Sequence, residues 1–244
     1  MNTALILAAG VGQRMRSAGL PKQFLKLFGK PIIIYTLEKF ENCPDIDAIV
    51  IVCRDGYIDY MNQLLTDYRI TKCSKVIVGG NERQSSLKKG LEAVSSVSNQ
   101  PDDIVVIHDG VRPMVSLSTI QENIRVAKEY GGAITVRPVT ESVVITDSET
   151  ANIKDFKKRK DTYSLTAPQS FQLERLQKIY LLSDDSEEYD GIPLLDAGML
   201  YASRGGEVHL VKEQGNNIKI TTPEDFYYLK AMIELEENKS IFGI

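Results

Sequence analysis

The sequence predicts an α/β fold built on a single, mostly parallel sheet covered by helices on both faces, with one projecting β-arm. Three observations carry that expectation. Short apolar runs alternate with longer stretches of helical spacing. Glycine-marked turns follow the apolar runs, and the most distinctive residues sit at those turns. The composition, 43% hydrophobic and 25% charged in 244 residues, is that of an ordinary globular chain able to bury one substantial core.

Thr3 to Leu7 is apolar and empties into Ala8-Ala9-Gly10, as a buried parallel strand would. Pro31 to Glu41 has helical spacing, with Ile33, Tyr35, Leu37 and Phe40 available for one face. Ala48 to Cys53 reads as a second strand, and a helix is expected over Ile58 to Tyr68. Lys75 to Val78 is a third strand, closed by Gly79-Gly80, and Glu82 to Val97 is a helix with Leu87, Leu91 and Val94 inward. Asp103 to Ile107 is a fourth strand ending at His108-Asp109. A helix at Leu117 to Glu129 and a strand at Ala133 to Pro138 follow.

Beyond that point the rhythm breaks. Ser142 to Thr146 alternates like a strand, and Thr162 to Thr166 is expected to return antiparallel to it, forming a two-stranded arm at about 138–166. An isolated hairpin is marginal in water, so the arm is expected to pack on something, such as a second copy of the chain. Helices near Leu173 to Leu182 and Leu195 to Ser203 flank an acidic loop. Glu207 to Val211 and Asn217 to Ile220 read as short strands. Thr222 as N-cap, Pro223 at the first position and Glu224-Asp225 in the first turn mark the start of the last helix. One domain over residues 1–244 accommodates all of this.

The composition also excludes classes of function. A net charge of −4 argues against a general nucleic-acid binder. No apolar run approaches the length of a membrane span. Met1 to Ala9 lacks the charged start of a secretory leader, and three scattered cysteines (Cys43, Cys53, Cys73) with only two histidines suit a reducing, cytoplasmic setting. The charge distribution is more telling than its sum. No acidic residue precedes Glu38, while Arg14, Arg16, Lys22, Lys26 and Lys30 crowd that stretch beside the glycines. A small anion is the expected ligand there.

Leu7-Ala8-Ala9-Gly10-Val11-Gly12-Gln13-Arg14-Met15, followed by Pro21-Lys22-Gln23, is the sharpest motif. Small residues after a strand let backbone N–H groups approach a phosphate. The dinucleotide fingerprint lacks its third glycine, and the Gly-Lys-Ser/Thr ending of a P-loop is absent. What remains is a glycine loop with two cations, Arg14 and Lys22, placed to clamp a triphosphate. No Ser-His-Asp or Cys-His arrangement is evident, and His108, on an apolar strand, reads as a buried structural histidine. Displacement at phosphorus needs positioning, cations and a metal rather than such a triad.

With that loop, four later motifs occur in order: Gly79-Gly80-Asn81-Glu82-Arg83-Gln84-Ser85-Ser86, His108-Asp109-Gly110-Val111-Arg112-Pro113, Ala167-Pro168-Gln169-Ser170-Phe171, and Asn217-Ile218-Lys219-Ile220-Thr221-Thr222-Pro223-Glu224-Asp225. Together they resemble the CTP-dependent cytidylyltransferases acting on 2-C-methyl-D-erythritol 4-phosphate and on D-ribitol 5-phosphate, from about Ala4 to Leu229. The resemblance implies a Rossmann-like fold, a magnesium or other divalent ion, and transfer of CMP to a polyol phosphate with release of pyrophosphate. It implies that Ala8, Ala9, Gly10, Gly12 and Arg14 hold the triphosphate, and that Lys22 and Lys219 act on the reacting phosphates. Gly80, Asn81 and Ser86 would read cytosine, with Arg83 supporting that loop. Asp109 would face the ribose and the metal-bound phosphates. Arg112, Ser142 and Asp196 would serve the acceptor, and Arg159 would enter the acceptor site of a partner in a homodimer.

Glu141-Ser142-Val143-Val144, Leu195-Asp196 and Thr166-Ala167 depart from the pattern usual in the erythritol-phosphate enzymes, and favour a ribitol 5-phosphate type of acceptor. The alternative is a 2-C-methyl-D-erythritol 4-phosphate cytidylyltransferase of isoprenoid synthesis; a nicotinamide-dependent oxidoreductase and a non-catalytic nucleotide-binding protein are the remote alternatives. The transferase reading predicts that Lys22→Ala lowers turnover roughly 10²–10³-fold in a pyrophosphate-release assay while the fold persists. Near-wild-type turnover would remove Lys22 from the mechanism.

Overall fold

The computed structural model describes residues 1–10, 19–98, 100–147, 150, 152–181, 188–189, 192–193, 196–213 and 215–242. Buried apolar runs supply the centre of the sheet: β1 (Asn2–Ala8), β4 (Ala48–Cys53) and β6 (Ile104–Asp109), with β5 (Cys73–Val78) outside β4. Between β1 and β4 lie a short ladder of β2 (Lys26–Leu27) with β3 (Lys30–Pro31) and helix α1 (Ile32–Glu41). α2 (Ile58–Asp67) joins β4 to β5, and α3 (Arg83–Ser95) joins β5 to β6. α4 (Leu117–Tyr130) precedes β7 (Gly132–Pro138). Then come β8 (Val143–Thr146), β9 (Ile153–Lys157), β10 (Tyr163–Gln172) and α5 (Leu173–Leu181). The chain continues through the short β11 (Glu188–Tyr189) and β12 (Ile192–Pro193), α6 (Ala197–Ser203), β13 (His209–Lys212) and α7 (Pro223–Phe242).

The seven-stranded sheet has the order β13-β7-β10-β6-β1-β4-β5. Neighbours pair in parallel except at β10, which runs antiparallel to both β6 and β7. Alternate side chains feed two cores, as the two-residue period of a strand requires. Ala4, Ile6, Ile49 and Ile51 pack under α1, α2 and α4. Leu5, Val50, Val105 and Ile107 pack under α3, α5 and α6. A third cluster joins Ile32, Val111, Met114 and Ile220 to Leu229 and Ile233 of α7.

Two expectations are corrected. The arm is a hairpin of β8 with β9, residues 143–157, and not of residues 142–146 with 162–166. The second segment instead enters β10, which pairs with β7 at Tyr163 to Leu165 and, after an irregularity, lies buried between β6 and β7 at Gln169 to Phe171. All five residues of β9 are exposed, and Ile153 and Phe156 fall three apart rather than alternating, so its sequence gave little strand signal. Asn217 to Ile220 is a loop and not a strand, because its backbone groups bond to other partners: Glu213 to the Asn217 N–H, Arg112 to the Asn217 carbonyl, and Val111 to the Ile220 N–H. The start of α7 is as expected, with the Asp225 N–H on the Thr222 hydroxyl and Asp225 Oδ2 accepting from Thr221 and Thr222.

The antiparallel direction of β10 has a positional consequence. Gln169 pairs with Ile107, so the residues preceding it run beyond the carboxyl end of β6. Thr166 and Ala167 therefore join the strand ends of β1, β4 and β6 at one rim of the sheet, where ligands of open α/β sheets bind.

His108, on β6, is structural, as expected. Its Nε2–H donates to the Arg112 carbonyl at 3.1 Å, and its ring packs on Phe40 with centroids 5.1 Å apart. Burial pushes its pKa down to about 4. A histidine in the unfolded chain titrates near ~6.5, so below that pH the unfolded state takes up the proton first and the fold is weakened. This group alone is expected to make the protein about 2 kcal/mol less stable at pH 5 than at pH 7.5 by urea unfolding. His108→Gln should lose less over the same interval; an equal loss would place the acid sensitivity elsewhere.

Candidate active site

Each wall of the site is set by a local reason in the sequence. Beyond β1, Ala8 and Gly10 are fastened from behind by Gln23, whose amide donates to the Ala8 carbonyl at 2.7 Å. Gln23 and Phe24 are buried in the 3₁₀ turn Lys22–Phe24, and Phe24 stacks on Tyr57. Two buried neighbours thus fix the backbone from which Lys22 projects. Beyond β5, Gly79 meets Ala9 so closely that a Cβ on the glycine would lie 2.5 Å from the Ala9 Cβ. The Gly80 N–H donates to the Ser86 hydroxyl at 3.0 Å, and a capping box between Glu82 and Ser85 starts α3 directly below. Small residues here are a condition of contact between the two loops.

Asp109, at the end of β6, is the electrostatic centre. It is only 5% exposed. Its Oδ1 accepts from Arg83 at 2.8 Å, and its Oδ2 accepts from Arg112 at 3.0 Å and from Lys219 at 3.0 Å. Burial alone would raise its pKa, but Arg83, Lys219 and Arg112 hold the carboxyl well below the usual range. For Lys219, burial lowers the ammonium pKa and Asp109 opposes that shift. Arg112 also donates to the Asn217 carbonyl at 2.9 Å, tying the β6 end to the Lys219 loop.

Two compartments open on this centre. The first, about 200 Å³, is lined by Ala8, Ala9, Gly10, Lys22, Gly80, Asn81 and Ser86. The second, about 340 Å³, is lined by His108, Arg112, Thr166, Ala167, Gln169 and Asp196. Arg83, Asp109 and Lys219 line both. The wall between the compartments is therefore made of one carboxylate and its cations.

The sequence-derived residues distribute over this arrangement as follows. Ala8, Ala9, Gly10, Lys22, Gly80, Asn81, Arg83, Ser86, Asp109 and Lys219 meet in the first compartment. Arg83, expected to support the loop of Gly80 and Asn81, stands at the start of α3 directly after it and pairs its guanidinium with Asp109. Arg112 and Asp196 meet in the second compartment, where Asp196 also caps α6 through the Met199 N–H at 2.9 Å. Ser142 and Arg159 lie elsewhere, exposed at the base of the arm, where the Arg159 guanidinium donates to the Ser142 hydroxyl at 3.4 Å. Gly12, Arg14 and Leu195 lie outside the described residues. Sequence reasoning gave no role to Gln23 or Gln169. Gln169 accepts the Gly198 N–H at 2.9 Å, and the only signal for either was a polar residue inside a motif already noted.

Comparison with known proteins agrees with this geometry. The sequence profile of the 2-C-methyl-D-erythritol 4-phosphate cytidylyltransferase (IspD) family matches residues 2–235. The chain belongs to this family. It is 42% identical over 243 residues to a ribitol-5-phosphate cytidylyltransferase of Vibrio parahaemolyticus, covering 100% of both chains. It is 34% identical over 235 residues to a 2-C-methyl-D-erythritol 4-phosphate cytidylyltransferase of Clostridium acetobutylicum, covering 96% of this chain and 98% of the other. The crystal structure of 4-diphosphocytidyl-2C-methyl-D-erythritol synthase from Anaerococcus prevotii superposes with a TM-score of 0.79 at 26% identity, covering 96% of each chain. The expectation of a nucleotidyltransferase of the cytidylyltransferase class on a mostly parallel sheet is borne out, and an oxidoreductase is set aside.

Within this IspD-family site, Asp109→Asn leaves three cations without their shared counter-charge. Arg83 and Lys219 are about a third exposed, so solvent blunts the penalty, and a loss of about 1–3 kcal/mol is expected in urea unfolding at pH 7.5. The wild-type contribution of a carboxylate with a depressed pKa is whole at neutral pH and fades only in strong acid. An unchanged urea midpoint in Asp109→Asn would show that the ion pairs contribute nothing to the fold.

Proposed function

We propose that the protein transfers CMP from CTP to ribitol 5-phosphate and releases pyrophosphate. The observation that carries the reading is the pair of compartments sharing one cationic wall. Such a wall can touch both the triphosphate of a donor and the phosphate of an acceptor. The full-length similarity to ribitol-5-phosphate cytidylyltransferases supports the choice of acceptor.

The acceptor's phosphate oxygen attacks the α-phosphorus of CTP. A new oxygen–phosphorus bond forms, the α–β bridging bond breaks, and pyrophosphate departs with the electron pair. A phosphate monoester has its second pKa near ~6, so the nucleophile is already ionised and needs no base. This matches a site in which the only histidine, His108, is buried and neutral. Gly10, Gly80, Asn81 and Ser86 hold the nucleotide, and Lys22, Lys219 and Arg83 neutralise charge on the phosphates. Arg14 and Gly12 complete the triphosphate cradle, while Arg112 and Asp196 receive the polyol phosphate.

Among the described residues no group of three or more His, Cys, Asp or Glu could cage a metal ion. The donor set fits magnesium that arrives on the triphosphate, since that ion takes one or two carboxylates and fills its shell with phosphate oxygens and water. Asp109 is the residue that would hold it, and when bound it would neutralise charge on the triphosphate. As a further part of this reading, the β8–β9 arm joins two copies of the chain, and Arg159 with Ser142 completes the acceptor site of the partner. A cytoplasmic setting fits a CTP-dependent enzyme with three free thiols, and no helix among the described residues is long and apolar enough to cross a membrane.

The family profile and the 34% relative give 2-C-methyl-D-erythritol 4-phosphate as the second candidate acceptor. Pyrophosphate release with CTP and magnesium is expected to be at least about tenfold more efficient with ribitol 5-phosphate than with the erythritol phosphate. The reverse preference would make Thr166, Ala167 and Ser142 neutral departures, and silence with both would overturn the acceptor class.

A further inference from the structure

The loop that carries Lys219 leaves β13 and enters α7 with no strand pairing of its own. Its shape is nevertheless fixed, because Asn217 is held at three points. The Asn217 N–H donates to Glu213 Oε1 at 3.0 Å, the Asn217 carbonyl accepts from Arg112 at 2.9 Å, and the Asn217 side-chain amide donates to the Ala167 carbonyl. One residue beyond Lys219, the Ile220 N–H donates to the Val111 carbonyl at 2.9 Å, and Ile220 is fully buried. Lys219 is therefore suspended between two fixed points, which is what allows its ammonium to stand 3.0 Å from Asp109.

Of the groups holding Asn217, Arg112 and Ala167 line the acceptor compartment themselves, while Glu213 grips it from behind. Its Oε2 accepts from the Thr166 hydroxyl at 3.1 Å, and Thr166 lines that compartment. The Glu213 N–H, in turn, continues the pairing of β13 with β7 by donating to the Val136 carbonyl at 2.9 Å. One carboxylate thus bonds the catalytic loop through one oxygen and the cavity wall through the other, from a backbone position fixed by the sheet. Glu213 lines neither compartment, so it has no route to substrate except through its two neighbours.

We propose that Glu213 is a positioning residue for the transfer reaction: it clamps the Lys219 loop to the Thr166–Ala167 wall and so fixes the place of the Lys219 ammonium relative to the acceptor. A misplacement of about 1 Å is enough to lower a rate greatly when catalysis depends on alignment. The carboxylate accepts two hydrogen bonds; a glutamine can still accept one through its oxygen and offer its amide to the Thr166 oxygen. The conservative variant should therefore keep the loop in place, and truncation should not. This inference rests on the transferase reading for its kinetic consequence but not for its geometry.

The test is a double-mutant cycle on pyrophosphate release, with hydrogen exchange as a second measurement. Glu213→Ala is expected to lower kcat/KM for the acceptor roughly 10–30-fold, and Glu213→Gln to restore it to within about threefold of wild type. In a Lys219→Ala background the further loss from Glu213→Ala should shrink to about twofold or less, because the lysine it positions is gone. Full additivity of the two substitutions, or no rescue by glutamine, overturns the proposal. If the wild type releases no pyrophosphate with either acceptor, the functional reading falls by itself. The clamp is then judged on the Asn217 amide: faster exchange in Glu213→Ala than in wild type supports it, and unchanged exchange overturns it.

Discussion

One buried carboxylate with three cations around it organises this end of the molecule. Arg83 reaches Asp109 from the first turn of α3, Arg112 from the loop after β6, and Lys219 from the loop before α7. Three cations at one place would repel one another, and their common anion allows them to converge. Without phosphate, Asp109 is the counter-ion that keeps them gathered. On the proposed reading, phosphate-bearing substrates would offer the same cations a second set of anionic partners, at positions the ion pairs have already defined. Such preorganisation lets a site act on charge without rebuilding itself during the reaction.

Much of this was legible in the sequence, and the reason is physical. β1, β4 and β6 are buried on both faces, so they read as uninterrupted apolar runs, and the residues just beyond them fall at the rim where ligands bind. Ala8, Gly10, Gly80 and Asp109 could be found because small or charged residues stand out at the end of an apolar strand. α7 announced itself through its capping residues.

What was misread depended on partners distant in the chain. β10 is a strand because β6 and β7 offer it two edges, and nothing local in Tyr163 to Gln172 reveals those edges. The β9 strand is exposed throughout and, among the described residues, pairs only with its neighbour in the arm. Asn217 to Ile220 alternates like a strand, yet its backbone groups are claimed singly by Glu213, Arg112 and Val111. Gln23, Gln169 and Glu213 escaped for a related reason. Each acts by holding a backbone or side chain that folding alone brings near, and residue type gives no sign of that.

The reversed direction of β10 divides the crevice by construction as well as by contents. On the proposed reading the donor side hangs on the ends of parallel strands, where a Cβ at Gly79 would meet Ala9 at 2.5 Å and one at Gly110 would meet Ala8 at 3.2 Å. The other side is built from the start of β10, the cap of α6 and loops tied down by individual hydrogen bonds. On the proposed reading, this division lets a lineage exchange one polyol phosphate for another while its nucleotide chemistry stays constant, because the two substrates are received by largely different elements.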